Sequence, residues 1–208
     1  MKRGQRARVF CASMADVFEA RRDLNPWRER LWTLIEETPH LDWLLLTKRP
    51  ERILQMTHWK ADWPKNVWIG TTVEDQESAE ERLPHLTRVP AMVRFISAEP
   101  LLSEVNIASW LGSSIDWVIT GGESGHHARP SSPSWFRSLL IQCMQADVPF
   151  HFKQWGDWGP GEGINLAVVR KTVREAQDGT QMFRVGKKAA GRLLDGETWD
   201  GLPIIKAA

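Results

Sequence analysis

Six short apolar runs, each closing on polar or charged residues, constrain this chain more than any other feature. They are Val9 to Ala12, Trp43 to Leu46, Val67 to Ile69, Val93 to Ile96, Trp117 to Ile119 and Phe150 to Phe152. Their apolar residues are continuous rather than alternating, as in strands buried on both faces of a parallel sheet. Parallel neighbours cannot be joined by a tight turn and need a crossover, usually a helix. The intervening segments supply such helices. Pro26 to Glu37 sets Trp27, Leu31, Leu34 and Ile35 on one predicted inward face, with Asn25 as N-cap and Pro26 at the first helical position. Asp75 to Leu86 opens on an acidic turn, and Ser132 with Pro133 starts a helix to about Ala146 that turns Trp135, Phe136, Leu139, Leu140 and Cys143 inward. Strands alternating with helices predict an α/β fold with a barrel-like or open parallel sheet and right-handed crossovers.

After Trp158 this rhythm stops. Gly159, Pro160, Gly161 and Gly163 mark a loop, and the rest, including Lys187 and Lys188 in a helix-like stretch from Gly186 to Leu194, lacks the barrel pattern. The expected division is 1–158 as the parallel α/β part and 159–208 as an irregular C-terminal extension packed on the same domain. A length of 208 residues suits one core. No apolar run approaches the ~20 residues of a membrane span, and the N-terminus lacks the apolar stretch of a signal peptide, so a cytoplasmic protein with no membrane partner is expected. Cys11 and Cys143 form no CxxC pair, which argues against a disulfide framework or a self-contained metal site. A net charge of +1 predicts no dominant nucleic-acid-binding field. Twelve Trp without a Tyr is unusual, but most of these Trp sit inside apolar runs, where burial accounts for them better than base stacking.

In parallel α/β sheets, ligands bind beyond the carboxyl ends of the strands. The residues there are therefore the candidates: Ser13 and Asp16 after the first run, Thr47, Lys48 and Arg49 after the second, Thr72 and Glu74 after the third, Ser97 and Glu99 after the fourth, Gly121, Gly122, Glu123 and Ser124 after the fifth, Lys153 and Gln154 after the sixth. Lys48, Arg49 and Lys153 suit a carboxylate or phosphate, whereas Glu74, Glu99 and Glu123 suit an amine or proton transfer. For each, a loop salt bridge is the rival reading. Gly121-Gly122-Glu123-Ser124-Gly125 is the sharpest local feature, because paired glycines admit a ligand close to the backbone; it lacks the GxGxxG spacing of a dinucleotide site, and a bare turn explains it as well. His126 and His127 lack an evident third ligand for a metal. Lys153 at a strand end also matches the placement of a Schiff-base lysine, which needs a desolvated pocket.

Several of these segments together resemble one family. Val9-Phe10-Cys11-Ala12-Ser13-Met14-Ala15-Asp16-Val17-Phe18, Leu45-Leu46-Thr47-Lys48-Arg49-Pro50, Val67-Trp68-Ile69-Gly70-Thr71-Thr72-Val73-Glu74-Asp75-Gln76, Ala98-Glu99-Pro100-Leu101-Leu102, the glycine segment from Trp117 to Gly125, Phe152-Lys153-Gln154-Trp155-Gly156 and Arg184 to Arg192 are similar to the phage gp thirty-seven/gp sixty-eight family, a three-Cys-motif domain of unknown function in phages and prophages. The resemblance runs from about residue 8 to the end. It implies a partial TIM-like (βα)6 barrel of radical S-adenosylmethionine type, with a 4Fe-4S cluster held by three cysteines that precede this position in longer relatives. With Cys11 and Cys143 alone, the chain cannot supply three thiolates.

Three readings follow. The chain is a truncated radical-type enzyme that keeps the S-adenosylmethionine-facing strand ends but is inactive in cluster chemistry; or it is a cluster-free barrel that binds a ligand, nucleic acid or a co-encoded phage protein; or it is a lyase or hydrolase using Lys153 with Glu99 or Glu74. Truncation would also leave the strand at Val9 to Ser13 as an exposed edge, predicting self-association.

Overall fold

The computed structural model describes residues 7–11, 18, 23, 25–60, 62–161 and 172–204. Strands β1 (Ala7–Cys11), β2 (Leu41–Thr47), β3 (Val67–Thr72), β4 (Arg94–Ala98), β5 (Trp117–Gly121) and β6 (Phe150–Gln154) follow one another in chain order in a six-stranded sheet. The pairs β1·β2, β2·β3 and β5·β6 are parallel, as the continuous apolar runs require. Helices α1 (Asn25–Glu37), α3 (Gln76–Leu86) and α4 (Pro133–Gln145) occupy three of the connections; α2 (Ile53–Met56) is a single turn behind a 3-10 turn at Pro50–Arg52. The fold is thus α/β with a parallel sheet. Contacts divide the chain into two compact units, Met1–Thr72 with Glu80–Phe95, and Val73–Ala79 with Ile96–Ala208.

In the first unit, α1 corrects the expected inward face. Arg28, Trp32 and Ile35 are buried, whereas Trp27 is 66% and Leu34 is 44% exposed and Leu31 is half-buried. Residues 28, 32 and 35 lie four and three apart and so share one stripe, rotated from that of 27, 31 and 34. Trp32 decides the rotation. Its ring meets Trp59 edge-on at 4.9 Å, Trp59 meets Trp63 at 5.2 Å, and its indole N–H donates to the Met56 carbonyl at 3.2 Å. A wide ring with its polar edge satisfied contributes more by burial than Trp27 does at the helix start. Asn66 Nδ2 donates to the Ile35 and Thr38 carbonyls, each at 3.3 Å, tying the loop before β3 to the end of α1 and the turn after it. Gly70 in β3 lies under Phe95, where a Cβ would come within 2.4 Å of the ring.

In the second unit, Asp75 caps α3: its Oδ1 accepts the Ser78 N–H at 2.8 Å. Helix α4 buries Phe136, Leu139, Leu140 and Cys143 as expected, with Trp135 half-buried and its indole donating to Gln177. Phe136, Phe152 and Trp155 meet edge-on at centroid distances of 5.0 to 5.2 Å. The stretch expected to be irregular holds a small antiparallel sheet, β7 (Trp158–Pro160), β9 (Gln181–Arg184) and β8 (Val173–Glu175) in the order β7-β9-β8, followed by a one-turn helix, α5 (Lys187–Ala190). Strands of three and four residues are too short for periodicity to reveal. The chain then returns to β6: Phe152 N–H donates to the Trp199 carbonyl and Gly201 N–H to the Phe150 carbonyl, each at 2.9 Å.

Candidate functional site

At the ends of β2 and β3, in the first unit, hydroxyls bind backbone. Thr47 is buried and its Oγ1 accepts the Arg49 N–H at 2.9 Å; Thr71 Oγ1 donates to the Thr47 carbonyl at 2.8 Å. The Thr72 carbonyl accepts Arg82 Nη1 at 2.8 Å. Lys48 is exposed and Arg49 half-buried, just before the 3-10 turn. Ser13 and Asp16 lie outside the described residues.

The ends of β4, β5 and β6, in the second unit, gather ionisable groups. Glu99 follows β4, and its two carboxylate oxygens have different partners: Lys153 Nζ is 2.9 Å from Oε2, and Gln154 Nε2 donates to Oε1 at 3.0 Å. Adjacent strand residues point to opposite faces. Lys153 accordingly lies outward with 48% of its side chain exposed, while Gln154 is buried at 6%. The buried carboxamide is hydrogen-bonded at both ends, its Nε2 also donating to the Gly122 carbonyl at 3.0 Å and its Oε1 accepting the Gly156 N–H. Gln154 therefore positions Glu99.

The paired glycines have a packing reason. A Cβ on Gly121 would sit 3.2 Å from Glu99 Oε1, and one on Gly122 would fall 1.9 Å from the Trp155 carbonyl oxygen. Gly156, at a φ of +83°, would place a Cβ 2.1 Å from the Glu123 carbonyl oxygen. The two strand ends touch backbone to backbone, and any side chain would push them apart.

The Glu123 carboxylate is clasped by Arg129, with Nε to Oε2 at 2.8 Å, Nη2 to Oε1 at 2.9 Å and the Arg129 backbone N–H to Oε2 at 2.8 Å. This bidentate bond holds the Glu123 carboxyl below the usual carboxylate range and raises the arginine in return; Glu74 adds to the rise. The loop is held from the other side by Asp157, whose Oδ2 accepts the Gly125 N–H at 3.1 Å, and by Arg184, which donates to the Gly125 and His126 carbonyls at 3.0 and 2.6 Å. Ser124 is exposed, Ser97 is buried, and Glu74 is half-buried, with its carbonyl accepting the Leu102 N–H at 2.8 Å.

Of the predicted residues, Glu99, Lys153 and Gln154 come together at one place, with Gly121 making room for them. Arg129, Asp157 and Arg184 escaped the sequence reading. Arg129 falls six residues past Glu123, inside a loop where no periodicity fixes its direction. His126 and His127 stack edge-on at 4.6 Å, and among the described residues no group of three or more His, Cys, Asp or Glu is placed to hold a metal ion. No helix among the described residues is long and apolar enough to cross a membrane.

Residues 1–203 match the model of a family described as a protein of unknown function, DUF5131. No curated protein and no solved structure matches the chain.

Proposed function

We propose a function for a chain that belongs to the DUF5131 family of proteins of unknown function: it binds a small ligand carrying both an ammonium and a carboxylate at the ends of β4 and β6. The observation that carries this reading is the Glu99–Lys153 pair, one carboxylate and one outward ammonium 2.9 Å apart, with Gln154 fixing the carboxylate from behind. A ligand's ammonium would share Glu99, and its carboxylate would take Lys153, exchanging one exposed ion pair for two. S-adenosylmethionine, which bears such an amino-acid group, is the ligand we propose, in line with the likeness to the phage gp thirty-seven/gp sixty-eight domains and their radical-type barrel. Strands in unbroken chain order with parallel pairing support a partial TIM-like barrel, and a cytoplasmic location is part of the same proposal.

The described residues do not fit the iron–sulfur cluster that this likeness implies. Cys143 is buried and desolvation pushes its thiol up to about 12, the reverse of a thiolate ligand, and no multi-residue donor set stands near it. The proposal is therefore binding without cluster chemistry. A lyase built on Lys153 with Glu99 or Glu74 is supported less, because a Schiff-base lysine requires desolvation and Lys153 is about half exposed.

Calorimetric titration of S-adenosylmethionine into the wild type, Glu99→Gln and Lys153→Met tests the reading. Saturable binding that weakens at least tenfold in both variants is expected. Failure of the wild type to bind at millimolar ligand, or binding indifferent to both substitutions, overturns it.

A further inference from the structure

The second unit contains a cavity of about 550 Å³ that the strand-end site does not use. Neither Glu99, Glu123 nor Lys153 lines it; the walls include Arg137 from α4, Trp155 after β6, Phe183 from β9, and Gly191, Arg192 and Asp195 from the turn after α5. Its volume falls in the ~300–1,000 Å³ range of small-molecule sites.

Two kinds of chemistry meet in it. Trp155 and Phe183 offer rings. Trp155 is immobilised, since its indole N–H donates to the Leu193 carbonyl at 2.8 Å and its ring is wedged edge-on against Phe136 and Phe152. Arg137 and Arg192 offer guanidinium groups. Asp195 clasps Arg137 through Nε at 2.9 Å and Nη2 at 2.6 Å, whereas Arg192 gives Nη2 to Asp200 and has further N–H donors in its fork. Of the charged side chains in the lining, Arg137 is paired with Asp195 and Arg192 with Asp200, so an anion would enter by sharing the Arg192 guanidinium with Asp200. Thr180 and Gln181 add uncharged hydrogen-bonding groups to the lining.

We infer that this cavity binds a nucleoside monophosphate: the base lies among the aromatic walls, and the phosphate is held by the Arg192 fork. A planar ring, a polar edge and a dianion are the three features that the lining complements. An arginine fork suits the phosphate better than an ammonium does, because two N–H groups reach two oxygens in one plane. This inference is independent of the strand-end proposal, which concerns other side chains and another ligand.

Calorimetry with 5′-AMP, 5′-CMP, the matching nucleosides and inorganic phosphate tests it, with Arg192→Gln and Arg192→Lys as variants. At least one mononucleotide should bind tenfold or more tightly than its nucleoside and than phosphate. Arg192→Gln should erase that tenfold, and Arg192→Lys should restore part of it. Amide hydrogen exchange on the wild type supplies a readout that needs no variant: the nucleotide should slow exchange in the segment around Gly191 to Gly196. Nucleoside binding as tight as that of the nucleotide, phosphate binding alone, insensitivity to Arg192→Gln, or no binding at millimolar nucleotide each overturns the inference.

Discussion

The strand ends of the two units are made from different materials. At β2 and β3, Thr47 and Thr71 turn their hydroxyls onto backbone groups and stiffen the turns that follow. At β4, β5 and β6, Glu99 meets Lys153 across strand ends and Glu123 meets Arg129 within one loop, with buried Gln154 and three glycines at the same strand ends. The second arrangement separates support from tool. The residues that bear charge are partly exposed, while those that position them are buried and satisfied, so substitutions should affect stability and binding unequally.

Gly122→Ala should have the largest effect. Its Cβ would overlap the Trp155 carbonyl, and neither backbone can yield without moving a strand end; a loss of about 3 kcal/mol or more is expected in urea denaturation. A loss below about 1 kcal/mol would show that the two strand ends are not packed backbone to backbone. Gln154→Leu should cost about 2 kcal/mol, since it strips hydrogen bonds from the Gly122 carbonyl and the Gly156 N–H, and it should weaken ligand binding through Glu99. Thr71→Val, in the other unit, should cost about 1 kcal/mol and leave ligand binding unchanged. If it abolished binding, the contrast between the strand ends would fail.

Glu123→Gln should act mainly on the acid side. Arg129 lowers the folded-state carboxyl below its ordinary value of 4.5, so its contribution is complete above that value and is lost as pH falls through the depressed one. The wild type should therefore lose stability faster than the variant below about pH 4.5, as measured by melting temperature against pH. Parallel curves would mean that the Arg129 clasp is open in solution. Lys153→Met should have the smallest effect on stability, under about 1 kcal/mol, because its ion pair is solvated. Its effect should instead appear in binding.

Much of the scaffold is legible in the sequence. The six apolar runs became the six strands, and Ser132-Pro133 marked the start of α4, because both signals are local: run length, and the backbone preference of proline at a helix start. The inward face of α1 was misread by one stripe, since two apolar stripes coexist on that helix and only the Trp59 and Trp63 rings choose between them. The site was half legible. The strand-end positions mark Glu99, Lys153 and Gln154, but no local signal shows that Gln154 is buried and hydrogen-bonded to Glu99. Arg129 is invisible because a loop side chain takes its direction from its partners, and Arg184 because it ends a strand too short for periodicity to reveal.

The amino-acid sequence by itself determined the class of fold, the places of its strands along the chain and the collection of polar residues at their ends, because burial on both faces of a parallel sheet imposes continuous apolar runs and expels polar residues to the loops. Only the tertiary structure decided which of those residues meet. Glu99 and Lys153 are 54 positions apart, and Glu123 faces Arg129 rather than open solvent, outcomes of strand register and backbone packing at Gly122 and Gly156 that no local pattern encodes.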